Sequence, residues 1–145
     1  AEVAALCLAN LYNSGGHRKI TPDEYETIKK YLQKFPESMH IRAAFIIASE
    51  AIYSPSAEYK RVPDKIINKA KQWSEQYPKK IEFQEAYFGL LFSRLKYAQA
   101  QDMRNEQRRV YREMKTVAER ANYSEYNESN QLMESVDILH RVFGY

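Results

Sequence analysis

The sequence has little of what breaks or staples a chain. Its single cysteine, Cys7, has no partner for an internal disulfide, so a framework of bridges is excluded and a reducing compartment, cytoplasmic or nuclear, is expected. Four glycines and five prolines in 145 residues are about half the usual share. That scarcity excludes collagen-like and low-complexity chains and argues against a sandwich of many short strands. No apolar run approaches the roughly 18 residues that cross a bilayer, and the first residues lack the pattern of a secretion signal. The triplets Asn122-Tyr123-Ser124 and Asn127-Glu128-Ser129 are too easily met by chance to argue for secretion. Charge of either sign is not in excess: 22 Lys and Arg face 19 Asp and Glu, for a net +3. With 44% hydrophobic residues the chain has enough apolar mass to fold, and one domain spanning 1–145 is expected. Because Ala1 already lies inside an apolar pattern, that domain is expected to be a segment of a longer protein.

What the sequence does have is helical periodicity almost throughout. Ala5, Leu8, Ala9 and Tyr12 share one helix face, and Ser14-Gly15-Gly16 closes it. Thr21-Pro22-Asp23-Glu24 opens the next helix with a capping residue, a proline at the first position and a capping-box glutamate. Tyr25, Ile28, Tyr31, Leu32 and Phe35 form its stripe, and Pro36 stops it. A third helix carries Ile41, Ala44, Phe45 and Ala48 and ends before Ser54-Pro55-Ser56. Pro63-Asp64 opens a fourth, with Ile66, Ala70, Trp73 and Tyr77, closed by Pro78. A fifth begins near Lys80. Met103, Val110, Met114 and Val117 line a sixth, and Leu132, Val136, Leu139 and Phe143 a seventh. A single helix of about 40 residues from Lys80 to Ala121 would far exceed the usual length. A turn is therefore predicted between Tyr97 and Asp102, although neither Gly nor Pro marks one.

Two of the helix ends copy each other. Tyr31-Leu32-Gln33-Lys34-Phe35-Pro36 and Trp73-Ser74-Glu75-Gln76-Tyr77-Pro78 lie 42 residues apart, each followed by a new apolar helix face. Repetition on this scale marks a helical solenoid. At Leu8-Ala9-Asn10-Leu11-Tyr12-Asn13-Ser14-Gly15-Gly16 the sequence resembles the first-helix signature of the tetratricopeptide repeat (TPR) family, and Pro36 and Pro78 fall where that family closes its repeats. The resemblance implies an all-α, TPR-like right-handed α-solenoid of about seven antiparallel helices. Its hairpins would span about 2–36, 37–78 and 79–122, with a final helix over 124–143. The copies are longer than the family's, and the third lacks the closing proline, with Ala121-Asn122 in its place.

Chemistry is sparse. His17, His40 and His140 form no cluster with metal-ligand spacing, and Gly15-Gly16 precedes no phosphate-loop lysine. No catalytic residue, metal or cofactor is expected. The family likeness implies protein binding through a concave face. By the repeat register that face would carry Asn10, Asn13, Arg42, Ile46, Gln84, Phe88, Leu91 and Phe92, an apolar groove with polar anchors for a peptide or partner helix. The alternative is nucleic acid, since Arg104, Arg108, Arg112 and Lys115 share one helix face, opposite Met103 and Val110. No aromatic residue is interleaved with that face in the sequence. A third reading is a structural or autoinhibitory solenoid packed on a neighbouring domain.

Overall fold

The computed structural model describes residues 20–124 and 130–145. Those residues form six α-helices: α1 (Pro22–Lys34), α2 (Met39–Tyr53), α3 (Asp64–Gln76), α4 (Ile81–Ala100), α5 (Arg104–Ala121) and α6 (Gln131–Phe143), with a 3-10 turn at Ser54–Ser56. No strand occurs among the described residues. The helix predicted over Ala5 to Tyr12 lies outside them, as do Asn10 and Asn13.

Local chemistry accounts for the helix ends. Thr21 Oγ1 accepts from Glu24 N at 3.2 Å and donates to Glu24 Oε1 at 3.1 Å, a tightened form of the predicted capping box. Ser38 caps α2 by accepting from Ile41 N. Asn130 accepts from Met133 N at the start of α6 while its amide donates to Ala118 O, which ties α6 to the end of α5. Gly144 follows α6 with a φ of 71°, the left-handed residue at which glycine ends helices without strain.

The predicted break near residue 100 is present, and its device is unusual. Met103 N donates to Ala98 O at 2.8 Å and Asp102 N to Gln99 O at 3.1 Å, the paired bonds of a Schellman motif. Its left-handed position belongs to Asp102, with a φ of 53°, where glycine is the usual occupant. Met103 is pushed outward by this turn and is 41% exposed, so it does not share the buried side with Val110 as expected. Asp102→Gly is expected to raise stability by about 1 kcal/mol by relieving the left-handed β-carbon. Asp102→Val should lower it by a comparable amount, read as opposite shifts in thermal midpoint.

The 42-residue repeat has a structural counterpart. Arg42 Nε donates to Pro36 O at 2.8 Å. At the same position of the next copy, Gln84 Nε2 donates to Ser74 O and Tyr77 O, both at 3.0 Å. Each residue thus satisfies a carbonyl of the aromatic-proline turn that precedes its helix. Helix α4 sits at the centre and packs against α2, α3 and α5. Phe83, Ala86, Tyr87, Phe88, Leu90, Leu91, Leu95 and Ala98 are all buried around its circumference, as expected of a helix that is apolar on nearly every side.

Candidate functional site

The burial of α4 corrects the predicted concave groove. Ile46 and Gln84 have no exposed surface, and Phe88 and Leu91 are buried as well. They face the packed interior, where α4 meets α2, α3 and α5, and not an open concave surface. Gln84 spends its amide on the Pro78 turn, with its oxygen accepting from Ser74 Oγ. Arg42 is buried too. Its guanidinium donates to Gln76, Tyr77 and Glu37 as well as to Pro36, so it fastens the α1–α2 turn to the end of α3. Of the described residues in the predicted groove only Phe92 is open, at 37%, and the Lys96 ammonium lies 4.8 Å from its ring centre.

An open groove lies elsewhere. A groove of about 620 Å³ runs between α1 and α3 over the floor of α2. Its floor is a ladder of three rings: Tyr25 meets Phe45 edge to face at 5.8 Å, and Phe45 meets Trp73 edge to face at 6.2 Å. Such pairs rigidify a site beyond the area they bury. The Tyr25 hydroxyl bonds Ser49 Oγ at 2.7 Å, and Ser49 Oγ in turn donates to Phe45 O. Burial pushes the Tyr25 hydroxyl up to about 12, so the floor stays uncharged at any physiological pH.

Each ring carries a cation. Lys29 Nζ is 4.5 Å from the centre of Tyr25, Lys69 Nζ 5.3 Å from Phe45, and Arg42 Cζ 5.3 Å from Trp73, all within cation–π range. Lys65 lies one turn before Lys69 on α3. Neither has an ion pair among the described residues, and burial together with Lys65 holds the Lys69 ammonium below its usual range. Among the described residues no carboxylate lines the groove. Glu26 and Glu37 pair with Lys29 and Arg42 from outside it. The arrangement supplies an aromatic floor for one apolar side chain and ammonium groups for anionic neighbours. It offers no nucleophile with an adjacent base.

A second cleft, between α3 and α5 over α4, has most of its charges paired within it. Arg94 reaches Asp64 at 2.5 Å and Val62 O at 2.8 Å, Arg109 pairs with Glu106, and Tyr87 donates to Glu113 at 2.8 Å. The Arg94 guanidinium holds Asp64 below the usual carboxylate range.

The nucleic-acid alternative keeps its geometry. Arg104, Arg108, Arg112 and Lys115 are all exposed along α5, while Val110, Met114 and Val117 are buried behind them. Among the described residues there is no group of His, Cys, Asp and Glu arranged to hold a metal ion, and no helix long and apolar enough to cross a membrane.

Sequence reasoning missed the α1–α3 groove because its walls meet only in tertiary structure. Lys65 and Lys69 were visible as basic residues, but nothing in the sequence pairs them with Lys29. No protein-family model, curated protein or solved structure matches this chain.

Proposed function

We propose that this chain is a protein-interaction module that holds an acidic segment of a partner protein in the α1–α3 groove, with no chemical step. The scaffold is read as a TPR-like right-handed α-solenoid, supported by the aromatic-proline turns that Arg42 and Gln84 satisfy at a 42-residue offset. One observation carries the functional reading: three cations sit over three edge-to-face rings in a groove whose lining, among the described residues, contains no carboxylate. Asp or Glu residues of the partner would meet Lys29, Lys65 and Lys69 along the rim, and an apolar side chain between them would sit in the groove above the buried Trp73 and Phe45 rings, each 5% exposed. Preorganisation of the floor limits the ordering cost of binding.

The test uses two short fluorescein-labelled peptides, a leucine flanked by Asp and Glu and the same leucine flanked by Lys, read by anisotropy. The acidic peptide is expected to bind at least about tenfold more tightly. Lys65→Glu combined with Lys69→Glu should remove that preference, since each exposed charge contact contributes about 0.2–1 kcal/mol and reversal replaces attraction by repulsion. Lys65 is exposed and Lys69 half-buried over Phe45, so the variant should stay folded with a thermal midpoint lowered by no more than a few degrees. Equal binding of the two peptides, or an unaltered preference in the double variant, would remove the groove from consideration.

A further inference from the structure

Away from the groove, the C-terminal segment gives the Arg face of α5 what its sequence lacks. A hollow of about 420 Å³ lies where the start of α5 meets the residues after α6, and Arg104, Arg108, Phe143 and Tyr145 are on its lining. The left-handed Gly144 turns the chain back. Tyr145 stacks on Phe143 at 5.5 Å and leans on Tyr111 at 5.4 Å. Two bonds hold it there: its hydroxyl donates to Gln107 Oε1 at 2.7 Å and accepts from Gln99 Nε2 at 3.0 Å. The result is a run of three rings whose inner members are fixed. Its outer member, Phe143, is 52% exposed beside two arginines.

From that open ring a line of positive charge leads along α5. Arg104, Arg108, Arg112 and Lys115 recur at intervals of four, four and three residues, or about 4.5–6 Å per step at the helical rise. Arg108, Arg112 and Lys115 have no ion pair among the described residues, and Arg104 has only a 3.8 Å contact with Asp102. Tyr123, 81% exposed, follows the far end of the same helix.

We infer that this surface binds single-stranded nucleic acid, with phosphates along the α5 cations and an unpaired base stacked on Phe143. A lone basic face would attract any polyanion. The exposed ring at the end of a fixed stack selects for a strand whose bases are free, because a duplex keeps its base faces covered. RNA and single-stranded DNA share this chemistry. The inference is independent of the α1–α3 groove, which lies over α2 on other helices.

The test is anisotropy of fluorescein-labelled oligouridine, oligothymidine and a DNA duplex across a salt series. Both single strands are expected to bind, with log affinity falling against log salt at a slope of about −2 to −3 for three or four phosphate contacts. Arg108→Glu with Arg112→Glu should cost at least about tenfold and flatten that slope. Phe143→Ala should weaken binding about fivefold or more and leave the slope unchanged, while Phe143→Trp restores it. Equal or tighter binding of the duplex would overturn the inference, as would indifference to Phe143→Ala. Loss of oligonucleotide binding in the Lys65→Glu, Lys69→Glu variant but not in the α5 variant would place the strand in the groove and overturn it too. So would an α5 variant that loses the acidic peptide and keeps the oligonucleotide.

Discussion

Leu91→Glu is expected to abolish cooperative folding. Leu91 is 4% exposed on α4, the helix that α2, α3 and α5 surround. Removing a buried leucine costs about 2–5 kcal/mol, and an unpaired carboxylate in the same space adds several more. That sum rivals the whole stability of a domain this size, roughly 5–15 kcal/mol. Circular dichroism under urea should show no native baseline, or an unfolding free energy lowered by more than about 4 kcal/mol. Phe92→Glu, one residue further on, is the control. Its ring is 37% exposed beneath Lys96, and the change should move stability by no more than about 1 kcal/mol. A Leu91→Glu chain that melts like the wild type would return Leu91 to an open face and restore the concave groove.

The second large effect is on pH dependence. Glu50, on α2, lays its carboxyl against the backbone of α4 at Gly89. It fits because residue 89 has no side chain: a β-carbon there would come within 2.1 Å of Glu50 Oε1. Burial, with a smaller contribution from Glu85, pushes the Glu50 carboxyl up to about 7 from its ordinary 4.5. The folded state therefore holds a proton that the unfolded state releases between those values. The stabilisation is complete below about pH 4.5 and is lost as pH rises through 7. A shift of this size corresponds to about 3 kcal/mol by pH 8. Glu50→Gln should flatten that part of the profile and be the more stable form at pH 8. Gly89→Ala should expel the carboxylate into solvent, which likewise removes the dependence, while the helix gains about 1 kcal/mol of propensity. Parallel stability profiles for wild type and Glu50→Gln between pH 5 and 8 would contradict this account.

Local signals were readable in the sequence wherever a short-range mechanism wrote them. Thr21-Pro22, Pro36, Pro63-Asp64 and Pro78 mark helix boundaries within a residue or two of where α1 and α3 begin or end. The break at Asp102 was legible from helix length alone, since an aspartate in the left-handed position leaves no glycine to announce it. The site was not legible. On a helix with one apolar stripe, periodicity distinguishes core from surface; on α4 it cannot, because Phe88 and Leu91 are buried along with Phe83 and Leu90. Repeat register carried these residues to an exposed face that does not exist. The α1–α3 groove brings Lys29 to Lys65, 36 positions on, and the C-terminal hollow brings Phe143 to Arg104, 39 positions back. Such pairings are set by how helices pack, not by spacing along any one of them.

Trp73 offers the most direct measurement of the central claim, because it is the one tryptophan in the chain and it lies in the floor of the groove. Its emission can be followed while the unlabelled Asp- and Glu-flanked peptide is added, with the Lys-flanked peptide as the paired control. Occupation of the groove predicts a saturable change in Trp73 emission with the acidic peptide, abolished by Lys65→Glu with Lys69→Glu and absent with the basic one. Emission that stays constant while anisotropy reports binding, or that responds equally to both peptides, would contradict the assignment of the α1–α3 groove as the partner site.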